Sequence, residues 1–143
     1  MIEIWVPGKL PTENEMLDAR GRIAFAGRSS KRWNKYAELK RQADALVMLH
    51  ARLHEPVTWP VHVTCAWNQP TRRLDPDNVA AGIKFVMDGL VLARVLPADG
   101  ARWIRKIEHQ FLYPGDKGYR GPGVLITLRR WEPKEVKDEP ARK

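Results

Sequence analysis

The sequence predicts one domain of the α/β (α+β) class, two layers deep, with helices packed on a small mixed sheet. Three observations predict it. Segments of alternating or continuous apolar character occur at residues 2–6, 61–67, 102–113 and 123–131. Apolar residues spaced three to four apart mark one helix between the first two of these segments and another between the second and third. A chain of 143 residues, 43% of them hydrophobic, supports one core. The element order is β-α-β-α-β-β, with no internal repeat.

Residues 2–6, IEIWV, alternate as a strand does. Residues 7–28 carry Pro, Gly, Asn and many charges and predict a long loop, a length that goes with function or mobility. Ser29 or Ser30 caps a helix running to about Leu53, with Trp33, Tyr36, Leu39, Ala43, Leu46 and Met48 or Leu49 on its apolar face. Pro56 and Pro60 break the chain before the strand VHVTCAW at 61–67, and residues 68–74 form a polar connector. A second helix is expected over 77–92, its apolar face made by Val79, Ile83, Val86 and Leu90. Val95, Leu96 and Pro97 end it. Residues 102–113 read as a strand with Trp103, Arg105, Ile107, His109, Phe111 and Tyr113 on one side. Gly115, Gly118 and Gly121 mark the turn into the last strand, GVLITLRRW at 123–131. Residues 132–143, EPKEVKDEPARK, lack apolar periodicity and predict a charged, mobile tail on a domain spanning 1–131.

Composition narrows the partners. The formal net charge is +8, which suits nucleic acid or an anionic membrane surface. No run of 18 apolar residues marks a membrane span, and no basic amphipathic helix with an aromatic face stands out, so nucleic acid is the expected partner. The N-terminal residues lack the pattern of a signal peptide, and the one cysteine, Cys65, falls in an apolar run where a buried, inert thiol is expected. A cytoplasmic location follows as the expectation. No Gly-rich phosphate loop precedes a helix, so no nucleotide cofactor is expected. His50 and His54 are spaced i,i+4 but lack the glutamate of a zinc protease motif.

The most informative stretch is Arg72-Arg73-Leu74-Asp75-Pro76-Asp77-Asn78. Paired carboxylates on a basic protein would repel a polyanion unless a cation stood between them. Mg²⁺ suits that place, because it takes one or two carboxylates together with phosphate oxygens. In an extended segment Asp75 and Asp77 point to the same side, and Pro76 keeps Asp75 out of the helical region. At 3.6 residues per turn, Asp77, Lys84 and Asp88 share one helix face, while Asp99 returns only through the tertiary fold. A structural reading stands beside this one. Asp75 before Pro76 is a good helix cap, Asp77 favours the positive helix end, and Lys84–Asp88 is an ordinary surface pair.

The stretch from Arg72 to Asp99, RRLDPDNVAAGIKFVMDGLVLARVLPAD, resembles the core motif of the RusA family of Holliday junction resolvases. The N-terminal region is similar too, with a strand at 2–6, Pro11 and Asn14, a Gly/Arg-rich loop, and a helix carrying Lys31 and Trp33; the likeness spans roughly residues 2–130. The resemblance implies a Mg²⁺-dependent homodimeric endonuclease that cuts four-way DNA junctions, often encoded by phages and then working in the cytoplasm of a bacterial host. It implies that Asp75, Asp77 and Asp99 hold the metal and that Lys84 is the functional lysine. In such a site a metal-activated water attacks phosphorus while Lys84 offsets charge. Two departures stand out: the family's acidic pair is here Ala98-Asp99, and Lys84 lies three residues further from Asp75 and Asp77 than in the best-known members. Arg72 and Arg73 flank the expected site, and Arg28, Lys31 and Arg32 could extend a phosphate path. Two alternatives remain open on the same residues: a non-catalytic DNA-binding protein, or a metal nuclease acting on flaps or RNA.

Overall fold

The structure, a computed structural model, describes the backbone of residues 1–26 and 30–133 and the side chains of residues 1–19 and 35–133. The described elements are β1 (Ile2–Pro7), α1 (Glu13–Ala26), α2 (Ser30–Ala51), β2 (Val61–Asn68), α3 (Pro76–Ala80), α4 (Ile83–Leu92), β3 (Ile104–Leu112) and β4 (Gly123–Arg130). The four strands form one sheet in the order β1-β4-β2-β3. β4 pairs antiparallel with β1 and β2, and β2 pairs parallel with β3. The sheet is therefore mixed and the class is α+β, as the sequence predicts. The parallel pair requires a crossover, which α3 and α4 supply. Among the described residues no helix is long and apolar enough to cross a membrane.

One face of the sheet builds the core. Ile4 and Val6 of β1, Val124, Ile126 and Leu128 of β4, and Val63, Cys65 and Trp67 of β2 pack beneath Val47 of α2 and Val86 and Leu90 of α4. Each buried aliphatic side chain contributes about 1.5–3 kcal/mol. Cys65 is fully buried, and burial pushes its thiol up to about 12, so it is inert. α4 lies against α2 at Gly89, where an added Cβ would stand 2.4 Å from the Val47 Cβ. The other face is mostly polar. There His62, 2% exposed, accepts a hydrogen bond from Arg129 at Nδ1 (2.6 Å) and meets Glu108 through Nε2.

Three expectations need correction. The predicted loop over 7–28 contains helix α1. Its start is a capping box: Glu15 N donates to Thr12 Oγ1 (3.3 Å) and Thr12 N donates to Glu15 Oε1 (2.8 Å). The predicted helix over 77–92 is divided into α3 and α4. Around the division Gly82 N donates to Val79 O and Phe85 N to Gly82 O, each 3.0 Å and three residues back, so the helix tightens. At the division the helix passes close to β2: the Trp67 ring stands 3.0 Å from where a Gly82 Cβ would sit, so the position has no room for a side chain. Finally, β3 starts at Ile104 and does not keep one alternation. A bulge opposite Val61 and His62 sets Ile104 against Val61 and Lys106 against His62. Arg105 is the extra residue, so it leaves the side shared by Ile107, His109 and Phe111. The tail expected over 132–143 lies outside the described residues beyond 133.

Candidate functional site

Two groups of charged side chains stand near α3 and α4. The first is at the head of α3. Asp75 is extended (φ −67°, ψ 144°), with Pro76 in the first turn behind it. The backbone carbonyl of Asp75 accepts from Asn78 N (3.0 Å) and Val79 N (3.2 Å). Its carboxylate makes no capping bond, so the structural reading of Asp75 holds for the backbone and leaves the exposed side chain available. Asp77 accepts from Asn78 N at Oδ1 (3.0 Å). Asn78 is buried, and its Oδ1 accepts from Asn14 N (2.9 Å), which ties the start of α1 to the start of α3.

The second group lines a cleft of about 410 Å³ between α4 and the edge strand β3. Its floor is Ile83, Met87, Ile104 and Ile107, and its charged walls are Lys84, Asp88 and Asp99. Asp88 and Asp99 also line an adjoining cleft of about 390 Å³, together with Lys40, Asp44 and Ala98. The loop from α4 to β3 thus brings Asp99 beside Lys84. Asp75 and Asp77 line neither cleft. Among the described residues no three His, Cys, Asp or Glu side chains converge as a metal-holding set in this conformation. The donors are hard carboxylate oxygens, the type that Mg²⁺ takes, and the Asp75 carboxylate is not consumed by capping. In donor chemistry the residues fit that ion.

Lys40 and Asp44 are outside the reach of motif reasoning. Lys40 Nζ lies 2.7 Å from Asp44 Oδ2 and 3.0 Å from Asp88 Oδ2. Asp44 is 7% exposed, and its Oδ1 is buried without a hydrogen-bond partner. Hydrogen bonding to Asp44, and then to Asp88, holds the Lys40 ammonium above its ordinary value against the opposing effect of burial. Burial pushes the Asp44 carboxyl up despite Lys40, because desolvation of a carboxylate in the core outweighs what the pair returns. The sequence carries one signal of this group, an i,i+4 lysine–aspartate pair whose aspartate interrupts an apolar stripe next to Ala43.

A third feature lies on β3. Trp67 Nε1 donates to His109 Nδ1 (2.9 Å), which puts the proton of the neutral imidazole on Nε2. Burial lowers the His109 pKa. The ring stacks between Trp67 and Phe111.

Of the expected DNA-contacting residues, Arg72 lies 4.3 Å over the Tyr113 ring and Arg73 is exposed. Arg28 lies outside the described residues; Lys31 and Arg32 belong to the first turns of α2, but their side chains lie outside the described set. Comparison with protein-family models and with curated proteins finds no match to this chain.

Proposed function

We propose that this protein is a Mg²⁺-dependent endonuclease of branched DNA, similar to the RusA family of Holliday junction resolvases. The observation that carries the reading is the meeting of Lys84, at the start of α4, and Asp99, in the loop after it, in one cleft of a chain of net charge +8. Asp75, Asp77 and Asp99 are the residues that would hold the ion. When bound, it would supply a nucleophilic water and Lewis-acid stabilisation of the phosphate. Lys84, exposed at the start of α4, offers an ammonium to a phosphate oxygen as charge develops. Arg72 and Arg73, just before Asp75, draw the backbone toward the carboxylates. Lys40, itself bonded to Asp44, holds Asp88 at the junction of the two clefts. A homodimer would present two such sites to two opposed strands.

The separation of Asp75 and Asp77 from the cleft favours a second reading, a DNA-binding protein without cleavage. Incubation of the purified protein with a labelled four-way junction, a flap, a duplex and RNA separates the readings. Cutting of the junction with Mg²⁺, lost in Asp77→Asn while junction binding is kept or tightened, is expected. Binding without cutting in Mg²⁺ or Mn²⁺ selects the second reading, and preferential cutting of RNA or flaps changes the substrate. Sedimentation of an active species as a monomer would contradict the dimer.

A further inference from the structure

The turn that carries Asp99 runs into a basic edge backed by indole rings. Trp103 N and Ile104 N both donate to the Gly100 carbonyl (2.9 and 3.0 Å), which closes the turn, and Ile104 lines the cleft with Asp99. The bulge then turns Arg105 out of the β3 alternation, and its guanidinium lies 4.1 Å from the centre of the Trp131 ring. Arg102 lies 5.8 Å from the centre of the Trp103 ring. Both tryptophans are anchored at the same end of the sheet: Val61 N donates to Trp103 O (2.8 Å), and Trp131 N donates to Pro60 O (2.9 Å). Arg130 closes β4 there, in register with Val61.

Arg102, Arg105 and Arg130 are all exposed, and no described carboxylate forms an ion pair with any of them. Glu108, the carboxylate of β3, is engaged by His62. A guanidinium laid on an indole face keeps its N–H edge directed outward, and that edge matches two oxygens of a phosphate. The stacking also restricts the side chain before any ligand arrives, which lowers the entropy lost on binding. The tryptophans are partly buried behind their arginines, an arrangement that suits a polyanion better than a lipid surface, where indoles insert.

We propose that Arg105, laid on Trp131, and Arg102, beside Trp103, form together with Arg130 at the end of β4 a phosphate-backbone contact that guides a DNA strand toward the Lys84–Asp99 cleft. The proposal rests on the nuclease reading for its partner and adds a surface at the opposite end of β3 from Arg72.

The test measures binding of the full chain to a fluorescent four-way junction by anisotropy, without divalent cations, over a range of salt. Arg102→Gln/Arg105→Gln/Arg130→Gln is compared with wild type and with Arg41→Gln/Lys117→Gln, which removes cations elsewhere. Three lost phosphate contacts should weaken binding about tenfold or more at low salt and reduce the slope of log K against log salt by about two to three. The control should change affinity less than about twofold. Should the triple variant not fold, Arg102→Gln in the exposed turn is read alone, with a slope change of about one. Wild-type affinity and slope in these variants, with wild type binding DNA normally, overturn this proposal and leave the nuclease reading intact. A wild type that binds no DNA overturns both. Loss of binding to phosphatidylserine vesicles with DNA binding unchanged reassigns the surface to a membrane.

Discussion

Lys40 and Asp88 meet across the interface of α2 and α4, with Nζ 3.0 Å from Oδ2. The same ammonium holds Asp44 at 2.7 Å, so one cation neutralises carboxylates from two helices. One residue on from Asp88, Gly89 lets α4 close onto Val47. The aspartate–glycine step therefore has a packing cause as well as an electrostatic one. It sets the depth at which α4 presents Asp88 to the two clefts.

Lys40→Met leaves Asp44 buried with a charge and no partner. The expected loss is about 1–3 kcal/mol of stability, read from the urea midpoint, since breaking a partly buried pair leaves the other charge uncompensated. Asp44→Asn removes that charge and should lose less. Equal stability of Lys40→Met and wild type would show that the pair is unimportant to the fold.

Gly89→Ala places a methyl group 2.4 Å from the Val47 Cβ, so α2 and α4 must separate. Overpacking of this kind costs about 1–3 kcal/mol. Val47→Gly in the same chain removes that Cβ, so the two losses should be less than additive. Additive melting shifts in the double variant would contradict the contact.

Stability should depend on pH through His109. Burial lowers its pKa below the ordinary 6.5, so as pH falls through 6.5 the unfolded chain takes up a proton before the folded one. Stability falls from there downward and levels off once the folded imidazole also protonates. Protonation also breaks the bond from Trp67, because the charged ring has no acceptor nitrogen. His109→Phe should flatten the slope between neutral pH and pH 5 while losing about 1 kcal/mol throughout, as Trp67 Nε1 loses its acceptor. An unchanged slope in that variant would assign the acid sensitivity elsewhere.

Ala98 lines a cleft with Asp88, Asp99 and Lys40. On the nuclease reading, Ala98→Asp adds negative charge beside Asp99 and should lower the Mg²⁺ concentration needed for half-maximal junction cleavage, with little change in junction binding. An inactive wild type that this single substitution restores would instead mark the natural site as catalytically silent.

The strands were legible because alternation is a local property. The apolar residues of IEIWV and VHVTCAW reveal their buried face wherever the segments land. Asp75-Pro76 announced the start of α3 for the same reason, since backbone conformation at that step is decided by adjacent atoms. The start of α1 was also written locally, in Thr12-x-x-Glu15, but glycine and charge further along masked it. What the sequence by itself determined is the class of the fold, most of its elements and the acidic stretch around Asp75. Only the tertiary structure decided that Gly82, between α3 and α4, has no room for a side chain, because the Trp67 ring beside it arrives from another strand. It alone brought Lys40 to Asp88 and Asp99 to Lys84, and set Arg105 on Trp131. Such contacts join residues distant in the chain, and their energy exists only once packed elements have met the entropy of closing the loops between them.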